Sequence, residues 1–79
     1  MKPFQVKRFD YYKVKDKTRE GLKKIEAQYI SQAATLAGFQ APMADTLREQ
    51  ARLLGQAAYA LRQAARVEWY LKNDKELKD

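Results

Sequence analysis

The side chains best suited to chemistry in this sequence are basic and aromatic, and they are concentrated near its start. Residues 2–17, KPFQVKRFDYYKVKDK, hold four of the nine aromatic rings and six of the sixteen basic side chains. Interleaved cations and rings are typical of proteins that bind single-stranded nucleic acid, because cations contact phosphates and rings stack on bases. The alternative is that the rings cover a hydrophobic core while the cations stay in solvent.

Four arginines in the second half of the chain form another candidate binding surface. On a helix they project within about 40° of one direction and span roughly 27 Å, with a tyrosine between them. Guanidinium groups form bidentate hydrogen bonds with phosphates and carboxylates. The alternative is a solvated face without a ligand. The residues predicted to contact a partner are Lys7, Arg8, Lys13, Lys15, Arg48, Arg52, Tyr59, Arg62 and Arg66.

The positive charge of the chain is confined to its first third. The formal net charge is +6. Residues 1–24 contain nine Lys and Arg against three Asp and Glu, an excess of six, whereas residues 25–79 contain seven of each sign. This distribution indicates a basic arm attached to a neutral body, and such an arm favours an acidic partner.

Catalysis has little support in the sequence. There is no His and no Cys, and we find no glycine-rich phosphate loop and no recognisable pair of carboxylates. We therefore predict a protein that is not an enzyme, with no catalytic residues, no cofactor, no metal site and no small-molecule substrate.

The length of the chain makes self-association an expectation. A domain of 79 residues buries only roughly 60% of the surface that its unfolded chain exposes, so its core is small. Disulfides and His or Cys metal sites are excluded by composition, and oligomerisation remains. The sequence lacks the apolar runs of a signal peptide or a membrane span, and we expect no membrane insertion and a cytoplasmic location.

The hydrophobic periodicity predicts an all-α fold in one domain, residues 1–79. A basic and aromatic arm, 1–16, precedes helix 1 at 18–37, with Asp16 or Thr18 as N-cap and Gly38 in the left-handed position after its end. Helix 2 is predicted at 42–74, with Pro42 in its first position. The short connection predicts an antiparallel two-helix hairpin, with a short helix 1 and a long helix 2.

Helix 2 carries a repeating apolar row, which we call the seam. Leucines and alanines alternate along it, and each type recurs every seven residues, as in a coiled coil. Apolar side chains cover an arc of about 220° on this helix, more than one packed helix hides. We therefore predict a homodimer with a four-helix arrangement. The predicted interface consists of the seam, Leu47, Ala51, Leu54, Ala58, Leu61 and Ala65, followed by Trp69.

Helix 2 is also longer than helix 1, and its last turns need cover. The overhang contains four apolar residues, Val67, Trp69, Tyr70 and Leu71, and we expect the arm to lie back along them in the same subunit or in a dimer mate. The tail, KNDKELKD at residues 72–79, carries mixed charge and is expected to be frayed and solvated.

These observations favour a small helical binding module that engages an acidic partner, and nucleic acid is the commonest such partner. Two alternatives stay open on the same architecture. One is a protein-binding regulator or inhibitor, of the type encoded by phages and mobile elements, that occludes a host protein. The other is a structural assembly subunit.

Overall fold

The computed structural model describes residues 5–15, 17–74 and 77. Two long helices make up most of this part of the chain, α1 at Arg19–Thr35 and α2 at Leu47–Asn73. A 3₁₀ turn at Tyr11–Lys13 precedes them, and a π-helical turn at Leu36–Gln40 extends α1. There is no β-strand among the described residues. The all-helical class and the packing of two helices against each other are confirmed.

The start of α1 follows its capping signal. Thr18 has extended backbone angles, and its hydroxyl accepts a hydrogen bond from the Gly21 backbone N–H at 3.0 Å. This cap satisfies one of the donors that the first turn leaves open, and Glu20 in that turn complements the helix dipole. Thr18 is therefore the N-cap, and Asp16, the other candidate, lies outside the described residues.

The end of α1 differs from the prediction. Helical backbone continues past residue 37 through the π-helical turn to Gln40, and the Ala41 N–H donates to the Leu36 carbonyl at 2.8 Å. No described glycine has a positive φ, so the left-handed role expected of Gly38 is wrong. Leu36 is buried in this turn, and continued helix keeps its side chain in the core.

α2 begins at Leu47, five residues later than predicted. Residues 41–46 form turns, and Pro42 does not start the helix. The Thr46 hydroxyl accepts from the Glu49 N–H at 3.1 Å. A threonine followed three residues later by Glu is the capping-box pattern. Its hydroxyl satisfies an open donor of the first turn, which a proline at the first helical position does not.

The two helices pack through two hydrophobic clusters. Near the connection, Ala33 of α1 and Leu36 of the π-helical turn lie in one cluster with Leu53 of α2. At the other end, Leu22 packs with Val67, and both are fully buried. There the Arg19 Nη1 donates to the Leu71 carbonyl at 2.9 Å. This hydrogen bond joins a side chain in the first turn of α1 to the backbone in the last turn of α2.

The residues before α1 complete both clusters. Val6 is buried with Leu53 and Ala57, and Phe9 is buried with Leu22 and Val67. The predicted cover of the overhang is only partly right, because the arm packs on Val67 and Tyr70 but leaves Trp69 exposed. The first four residues of the arm lie outside the described part.

The tail, residues 72–79, departs from its prediction at several described positions. α2 includes Lys72 and Asn73, and the Asp74 carboxylate accepts a hydrogen bond from the Tyr11 hydroxyl. Leu77 is buried in the cluster that contains Phe9 and Val67, so the expectation of a wholly solvated tail is wrong. An apolar side chain within reach of a small core gains more free energy by burial than it loses in rotamer freedom.

Candidate functional site

The arm and α2 together border an open hollow of about 470 Å³, which we call the basic hollow. Its walls combine three cations with four aromatic rings and one carboxylate. Arg8 and Lys13 come from the arm, and Arg66 comes from α2, more than fifty residues away in sequence. The residues lining the hollow are Arg8, Phe9, Asp10, Tyr11, Tyr12, Lys13, Arg66 and Tyr70.

Two glutamines of α2 hold the arm in place. The Gln56 Oε1 accepts the Val6 backbone N–H at 2.8 Å, and the Gln63 Oε1 accepts the Phe9 backbone N–H at 2.8 Å. Gln63 is buried. Because each bond satisfies a backbone donor that has no partner in a helix or sheet, the extended arm is anchored without strand pairing.

A tyrosine of α1 makes the third anchor. The Tyr29 hydroxyl donates to the Lys7 carbonyl at 2.8 Å. Burial, and secondarily the nearby Tyr59 hydroxyl, raise the pKa of Tyr29 above its ordinary value. The phenol therefore keeps its proton, and its donor role, over a wider pH range than a free tyrosine.

Stacked rings form the floor of the hollow. The Tyr11 and Tyr70 rings are parallel within 5°, with centroids 4.1 Å apart, and the Phe9 ring lies 6.0 Å from that of Tyr70. The Tyr11 hydroxyl also hydrogen-bonds the carboxylate of Asp74, which is the C-cap of α2. These contacts hold the arm against the end of α2 and fix the position of the turn at Tyr11–Lys13.

The turn at Tyr11–Lys13 presents the next ring to solvent. Asp10 caps the turn, and its Oδ1 accepts the Tyr12 N–H at 3.1 Å. The Tyr12 side chain is 84% exposed. The Lys17 Nζ lies 4.7 Å from the Tyr11 centroid and 5.9 Å from that of Tyr12, distances at which a cation is attracted to the ring face.

Three of the nine predicted partner-binding residues meet in the basic hollow, namely Arg8, Lys13 and Arg66. In the described part of the chain none of the three forms an ion pair. Asp10 lowers the local charge, but it also accepts the hydrogen bond of the turn. The hollow thus concentrates positive charge beside aromatic surface, an arrangement that suits an anionic ligand with a flat ring.

The other predicted residues are placed elsewhere. Lys7 and Lys15 are exposed on the arm, and Arg48 and Arg62 are exposed on α2. None of these four lines the hollow. These four cations extend the positive surface beyond the basic hollow, and they are spread over the arm and α2 rather than gathered at one site.

Two residues of the arginine stripe, the predicted row of Arg48, Arg52, Tyr59, Arg62 and Arg66 on α2, have structural contacts. The Arg52 Nε donates to the Glu49 carboxylate at 3.0 Å. This hydrogen bond lowers the pKa of Glu49 and raises that of Arg52. Tyr59 packs against the cluster around Leu53 and is partly buried. The stripe is therefore less uniform than its spacing suggested.

The predicted interface residues lie together on a bare face of α2. Leu47 is 83% exposed, Leu54 46% and Leu61 53%, and Trp69 is exposed at the end of the row. The three alanines of the seam are exposed as well. The buried face of α2 is a different one, formed by Leu53, Ala57, Ala60, Gln63, Ala64 and Val67.

Sequence reasoning missed the role of Gln56 and Gln63. Their spacing of seven residues places them on one side of α2, and Gln63 falls among residues that are otherwise apolar. A buried amide in an alanine-rich row indicates a backbone group to be satisfied, and the arm supplies it. That signal was available in the sequence.

The described residues were compared with the requirements of a metal site and of a membrane-spanning helix. No group of three or more His, Cys, Asp or Glu side chains is placed there to hold a metal ion. Neither α1 nor α2 combines the length and the apolar composition that a membrane-spanning helix requires.

Comparisons of the chain with protein-family models, with curated proteins and with solved structures found no match in any of the three.

Proposed function

We propose that this protein is a small, non-enzymatic helical module that binds nucleic acid through the arm and the adjacent surface of α2. The observation that carries the proposal is the basic hollow, in which Arg8 and Lys13 of the arm meet Arg66 of α2 beside four aromatic rings. Cations contribute most of the affinity for a phosphate backbone, and rings add stacking on bases.

The experiment that tests the proposal is a binding titration with fluorescently labelled oligonucleotides, single-stranded and duplex, at several salt concentrations. Three phosphate contacts predict that log K falls with log salt at a slope of about −2 for a single strand. Absence of binding to either form at about 50 mM salt, where electrostatic affinity is strong, would overturn the proposal.

A matched pair of charge reversals separates the hollow from general electrostatics. Arg8→Glu with Arg66→Glu changes two cations of the hollow, and Lys23→Glu with Lys24→Glu changes two exposed cations on α1. Each reversal removes two units, so both double variants fall from +6 to +2. We expect the hollow variant to lose at least about tenfold more affinity than the α1 variant. Equal losses would contradict a localised site.

The working architecture that we propose is an antiparallel hairpin that dimerises through the seam. The contacts of Leu22 with Val67 and of Arg19 with Leu71 support the antiparallel arrangement. The exposure of Leu47, Leu54 and Leu61 supports the dimer, since a row of leucines seven residues apart gains free energy when a second helix covers it.

The alternation of large and small residues favours a second copy running in the opposite direction. In an antiparallel pair each leucine of one seam faces an alanine of the other, so large and small side chains interdigitate. Arg66 follows Ala65 and projects about 100° away from the seam. A dimer of this kind leaves both basic hollows accessible, and the four helices present two binding sites.

The bare face also favours a second candidate function. A regulator or inhibitor that occludes a different protein would use the seam and Trp69 as its contact surface, because exposed leucines and a tryptophan are suited to such an interface. The structural assembly subunit has no observation of its own in its favour. Monomeric protein that fails to bind nucleic acid would favour the regulator.

A further inference from the structure

The aromatic rings of the arm have divided roles. Phe9 is buried, and Tyr11 is stacked on Tyr70, so both rings serve the fold. Tyr12 is neither buried nor stacked face to face on another ring, and 84% of its surface is exposed. Phe4 lies outside the described residues. Of the described rings that line the basic hollow, Tyr12 is the most open to a ligand.

Although Tyr12 is exposed, its backbone is held by a network of hydrogen bonds. Its N–H donates to the Asp10 carboxylate, and the flanking N–H groups of Lys13 and Val14 donate to the carbonyls of Asp10 and Tyr11. The Tyr12 and Tyr11 rings are nearly perpendicular, at 79°, with their centroids 5.8 Å apart. Because the backbone of this turn is already ordered, only the side-chain torsions of Tyr12 lose freedom when its ring stacks on a flat partner.

We propose that Tyr12 stacks on an unpaired base, and that the ligand of the basic hollow is a single-stranded nucleic acid. This inference rests on the proposed function. Arg8, Lys13 and Arg66 border the same hollow, so the phosphates that flank the stacked base have cations within reach. In a duplex both faces of each base are covered by neighbouring bases, and stacking on Tyr12 would first require unstacking.

The test compares ring variants on single-stranded and duplex oligonucleotides of equal length, by fluorescence anisotropy at low salt. Tyr12→Ala should weaken single-strand binding by about tenfold or more, as expected for loss of one base–aromatic stack. Duplex binding should stay within about twofold, because Tyr12 makes no stack there. Tyr12→Phe should keep most of the single-strand affinity, because stacking needs the ring rather than the hydroxyl.

Two controls make the stacking role specific. Phe39 is another exposed ring, in the connection between α1 and α2, and Phe39→Ala should leave both affinities unchanged. A single strand with abasic sites keeps its phosphates but has no bases to stack, so it should bind the parent and Tyr12→Ala equally. Because Tyr12 is exposed, circular dichroism should show the same thermal unfolding for both proteins.

The outcomes separate the inference from the proposed function. If Tyr12→Ala binds single strands as tightly as the parent while Arg8→Glu with Arg66→Glu does not bind, the stacking role is overturned and the nucleic-acid function stands. Equal affinity of the parent for duplex and single-stranded oligonucleotides would also overturn the inference that the ligand is single-stranded. If the parent binds neither form, both the function and the inference fail.

Discussion

The two apolar faces of α2 differ in how far the rest of the chain buries them. The face that contains Ala60, Gln63 and Val67 is covered by α1 and by the arm. The seam, from Leu47 to Ala65, is exposed at each of its six residues. Both rows are built largely from leucine, alanine or valine, so hydrophobicity alone does not distinguish them.

The two faces differ in whether they carry polar side chains that can accept hydrogen bonds from backbone N–H groups. The covered side includes Gln56 and Gln63, and each accepts an N–H of the arm. The seam contains no such acceptor between Leu47 and Ala65. An extended segment brings open N–H groups, whereas a helix brings none along its length. The covered side therefore suits the arm, and the seam suits another helix.

The largest effect is expected from removing the main anchor of the covered face. Phe9→Ala should lower the free energy of unfolding by about 3 to 4 kcal/mol, because it leaves a cavity against Leu22 and Val67. Urea denaturation followed by circular dichroism measures this loss. For a chain with a small core, a loss of that size removes a large part of total stability.

The control for Phe9 is a ring of similar size three residues away. Tyr12→Ala removes an exposed side chain and should change the free energy of unfolding by no more than about 0.5 kcal/mol. Equal effects of the two substitutions would mean that the arm does not pack on the helices as described.

The next effect concerns the bare face. Leu61→Asp places a carboxylate within the seam and should weaken self-association by about 100-fold or more, because each dimer would bury two charges. Leu61 is 53% exposed, so the hairpin itself should remain folded. Sedimentation equilibrium measures the association, and circular dichroism checks the helix content.

Met43→Asp is the matched control, since Met43 is exposed in the turns between the helices and lies outside the seam. It should leave self-association unchanged. A parent protein that is folded and monomeric at about 100 μM, far above the Kd of a stable dimer, would contradict the dimer and leave the seam to a different partner.

The same contrast shows how far the sequence could be interpreted. Helical periodicity predicted two packed helices and placed Leu54 and Leu61 on one row, because both depend only on spacing within a helix. The start of α2 was misjudged because Pro42 and Thr46 are both valid start signals, and their competition is decided by which hydrogen bonds the turns can satisfy.

The basic hollow depends on contacts that spacing does not encode. Arg8 and Arg66 were each identified as candidates, but their meeting requires the register of the arm along α2. That register is set by Gln56 and Gln63, through bonds to residues 50 and 54 positions away. Likewise, the sequence left open whether the rings cover the core or bind a ligand, and packing assigns Phe9 to the core and leaves Tyr12 exposed.

The smallest effect tests the third anchor of the arm and has a defined pH dependence. Tyr29→Phe removes the hydroxyl that donates to the Lys7 carbonyl, and it should lower the free energy of unfolding by about 1 kcal/mol at neutral pH. The pKa of Tyr29 is raised in the folded protein, so folding favours the protonated phenol. Its contribution is therefore fully present below the ordinary tyrosine pKa of about 10 and is lost as pH rises through the folded value. The stability difference between parent and Tyr29→Phe should be constant up to about pH 9, below that pKa, and should shrink above it. The other four tyrosines are present in both proteins, so the stability difference reports on Tyr29 alone. If that difference stays constant as pH rises past about 11, well above the ordinary tyrosine pKa of about 10, the Tyr29 hydroxyl does not hold the arm.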